Sequence, residues 1–176
     1  MALSRHWRKR PGGRPAGLAG GRSVLCRIAL AASLTAVLAA GGLASTTERV
    51  VTDRFCGLAI SGYDPLAFFI DGQARPGLSD FELRFAGAVW RFRNAGNRAA
   101  FAARPDIYAP RFGGYDPTGI ARGVALAGTA AAWIVRDQRL YLFHDAEALE
   151  AFRSDPEPVI AAADARWPEV ERLLSP

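Results

Sequence analysis

Two aspartates, Asp64 and Asp116, stand in the same tetrapeptide, Gly-Tyr-Asp-Pro, about fifty residues apart. Such a carboxylate has two uses. As chemistry, Asp64 and Asp116 would join His144 as oxygen and nitrogen ligands to a metal ion, or would sit with Tyr63, Tyr115 and Arg122 around a bound small molecule. As scaffolding, Asp followed by Pro opens a turn or caps a helix. In the second case Asn would serve at Asp116 nearly as well, at a cost below about 1 kcal/mol. The candidate ligand-binding set is therefore Tyr63, Asp64, Tyr115, Asp116, Arg122 and His144.

No catalytic residues are assigned. A Ser/His/Asp order, a phosphate-binding glycine loop and paired glycosidase carboxylates are not discernible, so the chain reads as a binding protein rather than an enzyme.

The flanks of the two tetrapeptides, "LAFFIDG" and "TGIARGV", share no hydrophobic periodicity. The repeat therefore reads as one turn chemistry reached twice, not as a duplicated unit.

The elements that position these residues begin after a leader. Residues 1–44 carry seven basic and no acidic residues, an apolar run from Ile28 to Ala40 and a small-residue end at Gly42-Leu43-Ala44. That is the pattern of an export signal, cleaved near Ala44, or of a membrane anchor if left uncleaved. Without it the chain holds 15 Lys and Arg against 17 Asp and Glu, so the basic overall charge belongs to the leader and does not indicate nucleic-acid binding. Residues 45–176 suit one domain.

That domain contains one cysteine, Cys56, and one histidine, His144, too few for an internal disulfide or a Cys/His zinc site. Cys56 is expected to be a buried, inert thiol. Its alternative is a redox role.

A short helix is predicted after Asp64, with Pro65 at its first position and Gly72 at its end. The alternation in "FELRFAGAVWRFR" predicts a hairpin turning at Ala86-Gly87. A helix follows from Asn94 and stops before Pro105. Phe112 to Gly128 reads as a glycine-rich loop, and "AAWIVRDQRLYLFHD" as a second hairpin turning at Asp137-Gln138. The tail reads as helical pieces divided by Pro156, Pro158 and Pro168. The fold class is α+β, a small antiparallel sheet from two β-hairpins packed with about four short helices.

The ordered set "GYDPLAFF", "FELRFAGAVWRFRNAGNRAAFAARPDIYAP", "GGYDPTGIARG" and "WIVRDQRLYLFH" resembles the exported bacterial proteins that carry a YHS domain. The similarity runs through nearly all of residues 45–176. Metal-binding relatives place cysteines where this chain has Ala67, Arg93 and Asn97, so the resemblance implies that a thiolate metal site is absent here. The exported family usually reads Gly-Gly-Tyr-Cys where this chain has Asp116, so thiol chemistry at that point is also absent.

The expected function is that of an exported, periplasmic, non-enzymatic domain that binds a small ligand or a periplasmic protein. A metal-handling role through Asp and His ligands, or a redox accessory role through Cys56, is the alternative. No cofactor is expected, no nucleic-acid partner, and membrane contact only through an uncleaved leader.

Overall fold

The computed structural model describes residues 48–174. The expected leader lies outside them. The chain is α+β, with four strands in two antiparallel hairpins that each form a separate two-stranded sheet. The hairpins are β1 (Leu78–Phe85) with β2 (Ala88–Phe92), and β3 (Thr129–Arg136) with β4 (Arg139–Phe143). Six α-helices surround them among the described residues: α1 (Pro65–Ile70), α2 (Ala95–Ala103), α3 (Pro105–Tyr108), α4 (Pro117–Ala121), α5 (Ala146–Ser154) and α6 (Pro156–Leu173).

The second half of the molecule repeats the first, and this overturns the reading of the tetrapeptides as unrelated turns. Each half opens on a tight turn of three consecutive residues with positive φ, Ile60-Ser61-Gly62 in the first and Phe112-Gly113-Gly114 in the second. Each then runs through Tyr-Asp-Pro into a short helix, a hairpin and a nine-residue helix, and each starts a further helix on a proline, Pro105 or Pro156. The Tyr63–Pro76 bridge is matched by Tyr115–Ala127. Both hairpins also carry a bulge at the same place, between Leu78 and Glu82 and between Thr129 and Trp133.

Gly77 and Gly128 mark those bulges for a steric reason. A Cβ on Gly77 would lie 2.4 Å from the Arg91 carbonyl carbon, and one on Gly128 would lie 2.6 Å from the Leu142 Cβ. Only glycine lets the strand pass so close to its partner.

Each half has the same aromatic centre. Trp90 and Phe92 of β2 pack on Phe101 of α2 at ring separations of 4.9 and 5.2 Å. In the second half Tyr141 and Phe143 of β4 pack on Phe152 of α5 at 5.4 and 5.0 Å. The halves share β4, whose Leu140 and Leu142 enter the first core while Tyr141 and Phe143 enter the second. Burial on both faces explains why "LYLF" is apolar throughout rather than alternating.

Three sequence expectations are corrected. Phe112 to Gly128 is not one loop, because Asp116 caps α4 within it. The tail is two helices rather than pieces cut at every proline. Pro156 and Pro158 fall in the first turn of α6, where no intrahelical N–H bond is lost, and α6 runs on through Pro168 at the loss of a single bond. Cys56 is exposed, not buried, in a turn whose N–H groups and thiol all point to the Asp53 carboxylate.

Candidate functional site

Asp64 and Asp116 are fully buried, and they are the only buried charged side chains among the described residues. Each ties three pieces of its own repeat together. Oδ1 of Asp64 accepts the Leu66 N–H at 2.9 Å and caps α1, and Oδ2 accepts the Arg93 N–H at 2.8 Å, 29 residues on, where β2 ends. Oδ1 of Asp116 accepts the Thr118 N–H at 2.7 Å and caps α4, and Oδ2 accepts the His144 N–H at 2.9 Å, 28 residues on, where β4 ends. The backbone of each Asp also donates across to the segment before the hairpin, to Arg75 and to Leu126, at 2.8 Å in both cases. A short acceptor-only side chain is what this junction requires, because two N–H groups from separate elements converge on it.

The repeats differ in one donor. In the first, Asn97 of α2 sends its side-chain N–H to Oδ2 of Asp64 at 2.6 Å. The matching position on α5 is Ala148, whose side chain has nothing to donate. Where Asn97 fills the space beside Asp64, Ala148 leaves a cleft of about 250 Å³ beside Asp116. Asp116, Thr118, Arg122, Leu126, His144, Asp145, Glu147, Ala148 and Ala151 line it.

The structure thus brings three of the six sequence candidates together: Asp116, Arg122 and His144. The other three are elsewhere. Tyr63 and Asp64 belong to the first repeat, and Tyr115 is buried in the second core with its hydroxyl donating to the Glu48 carbonyl. Arg122 does not pair with Asp116. Its guanidinium is exposed and has no ion pair or hydrogen bond among the described residues. The His144 ring sits with Nδ1 at 3.2 Å from the Ala127 carbonyl. A carbonyl only accepts, so Nδ1 carries the hydrogen and Nε2 is an acceptor in the neutral ring.

Sequence reasoning missed Asp145, Glu147 and Ala148. Asp145 caps α5 by accepting the Ala148 N–H at 2.8 Å, and Glu147 is exposed in the first turn of the same helix. The available signal was the register of the two halves. Aligning Gly77 with Gly128, Phe92 with Phe143 and Phe101 with Phe152 sets Asn97 against Ala148.

Ala67, Arg93 and Asn97 each contact Asp64, Ala67 through its N–H to the Asp64 carbonyl. The Arg93 N–H and the Asn97 side chain are two of its donors. Among the described residues no group of three or more His, Cys, Asp or Glu side chains is placed to hold a metal ion.

A second cleft, of about 500 Å³, lies between Val50, Pro110 and Trp167, with Arg49 and Glu171 on its walls. It is larger, but none of the sequence candidates lines it. The smaller cleft is favoured on chemistry, because it has a buried carboxylate in its lining. Comparison with family models, with curated proteins and with solved structures gives no match. The resemblance to exported YHS-domain proteins therefore rests on the sequence motifs.

Proposed function

We propose that the chain is an exported, YHS-like domain that binds a small polar ligand in the cleft of its second repeat, without catalysing a reaction. One observation carries this reading: Ala148 leaves open beside Asp116 the space that Asn97 occupies beside Asp64. A carboxylate buried out of water is stable only when its lone pairs are used. The first repeat supplies three donors to Asp64 from within the chain. The second supplies two to Asp116, one to each oxygen, and the space that the third donor takes in the first repeat stays open to a ligand. The cleft is slightly smaller than most small-molecule sites, which fits a ligand of few atoms.

Recognition is the work that these groups can do. Asp116 is fixed by two backbone donors, His144 is oriented by Ala127, and Leu126, Ala148 and Ala151 give an apolar wall. The test is a thermal-shift screen of small polar compounds on the purified protein and on Ala148→Asn. Compounds that raise the Tm of the wild type should leave Ala148→Asn unmoved, because the new side chain occupies the cleft as Asn97 does. Compounds that stabilise both equally would contradict the proposal.

A further inference from the structure

We infer that the second cleft, beside Trp167, receives Phe55 of another copy of this chain, and that two copies pair symmetrically with each Phe55 in the other's cleft.

Phe55 is 91% exposed, more than any other large apolar side chain among the described residues. Its turn is nevertheless fixed. Oδ1 of Asp53 accepts the Phe55 and Cys56 N–H groups at 2.9 and 3.1 Å and the Cys56 thiol at 3.1 Å. A phenyl ring held out to water on a hydrogen-bonded turn has little backbone freedom left to lose on docking, which suits it as an aromatic anchor.

The cleft matches that ring in size and polarity. Its volume of about 500 Å³ has room for a phenyl group, and Val50, Ala86, Ala109, Pro110 and Trp167 make the lining mostly apolar. The half-buried Trp167 indole is backed by Phe112 and Tyr115, at ring separations of 5.7 and 6.4 Å, and so gives a firm aromatic wall.

The charges around ring and cleft are complementary. Arg49 and Glu171, on the walls of the cleft, form no ion pair among the described residues. Phe55 follows Asp53, whose Oδ2 takes no part in the turn, and the exposed Arg54. With the ring seated, Arg54 meets Glu171 and Asp53 meets Arg49 of the second copy, opposite signs in both cases. A small apolar molecule in the cleft would answer neither wall charge.

Val50 in the cleft and Phe55 on the turn are five positions apart in the chain, a separation of at most about 18 Å. Ring and cleft therefore share one stretch of surface, and a single two-fold axis brings both pairs together. Each phenyl buries about 150–250 Å². Two rings and the walls around them fall at the low end of interface sizes, below about 1,200 Å², so the dimer is weak and concentration-dependent.

Sedimentation of the purified protein at up to about 0.5 mM, where a small interface is populated, tests this under reducing conditions that keep the exposed Cys56 from cross-linking. The wild type should dimerise reversibly, and Phe55→Ser should weaken the dimer at least about tenfold. Ile70→Ser, which removes a different exposed apolar side chain, should leave it unchanged. Arg54→Glu and Glu171→Arg should each weaken the dimer, and the two together should restore it. A monomer at every concentration, with the cleft empty or taking up a free apolar probe such as anilinonaphthalene sulfonate, would overturn the inference. A dimer that survives Phe55→Ser, or a charge-swapped pair that fails to recover, would also overturn it.

Discussion

Asn97 donates its side-chain N–H to Oδ2 of Asp64 at 2.6 Å, and its counterpart in the second repeat, Ala148, makes no such bond to Asp116. One residue type at one position of a repeated helix is thus the difference between a filled junction and an open one.

Exchanging the two residues should exchange the two states. Asn97→Ala removes a hydrogen bond to a buried carboxylate and is expected to cost about 1–3 kcal/mol. Ala148→Asn adds such a bond at the price of about 0.5 kcal/mol in helix propensity, and so should leave stability unchanged or raised. Urea unfolding of the two variants beside the wild type measures both.

Asp64→Asn and Asp116→Asn should each be destabilising by about 2 kcal/mol, since a carboxamide has one acceptor oxygen where Asp116 meets two N–H donors and Asp64 three, and turns an NH₂ against one of them. The expectation that Asn would serve at Asp116 for under 1 kcal/mol came from the turn alone. It did not include the second donor, His144 N–H, from 28 residues away. Thermal melts of the two variants test this, and the loss at Asp64 should be at least as large as that at Asp116, because Asn97 is a third donor there.

Gly77→Ala and Gly128→Ala should both lower stability by roughly 1–3 kcal/mol or more, because each new Cβ meets atoms of the facing strand. On Gly77 it would fall 2.6 Å from the Arg91 Cβ, and on Gly128 it would fall 2.6 Å from the Gly114 carbonyl oxygen. Alanine at Gly57, where φ is positive but a Cβ meets nothing within 4 Å, serves as a comparison without a steric clash. Chemical denaturation should rank it as the milder change.

Burial of Tyr141 in the second core raises its phenol above the usual range. The neutral form is favoured by the folded state, so its contribution is complete below about pH 10, the unfolded value, and is lost as pH climbs through the raised folded value. Stability should therefore fall on the alkaline side. Tyr141→Phe, which has no group to ionise, should flatten that part of the stability profile. An unchanged alkaline limb would remove Tyr141 as its cause.

Much of the local structure was legible in the residues. The caps at Asp64 and Asn94, the Ala86-Gly87 and Asp137-Gln138 turns and the α+β class follow from side-chain chemistry acting over a few positions. The duplication was not legible in the same way, because what the halves share is backbone conformation. Ile60-Ser61-Gly62 and Phe112-Gly113-Gly114 adopt the same positive-φ turn with different side chains. Outer faces diverged too, since Arg91 of β2 pairs with Glu82 where Leu142 of β4 meets the first core. Short α4 was hidden for a related reason: five residues with an internal glycine have no periodicity to read, and burial of Ile120 rather than propensity holds the helix. The cleft itself depends on an absence, the missing side-chain amide at Ala148, which only the comparison of the two halves in matched register brings out.

The most direct test of the cleft is an amide-resolved NMR titration of the purified protein with a small polar compound that raises its Tm, because the two repeats provide their own control. The Thr118 and His144 amides both donate to Asp116 and should shift in a saturable way. The Leu66 and Arg93 amides, which donate to Asp64 beside Asn97, should stay in place. Shifts of both pairs together, or of neither, would contradict a ligand site built on the open junction of the second repeat.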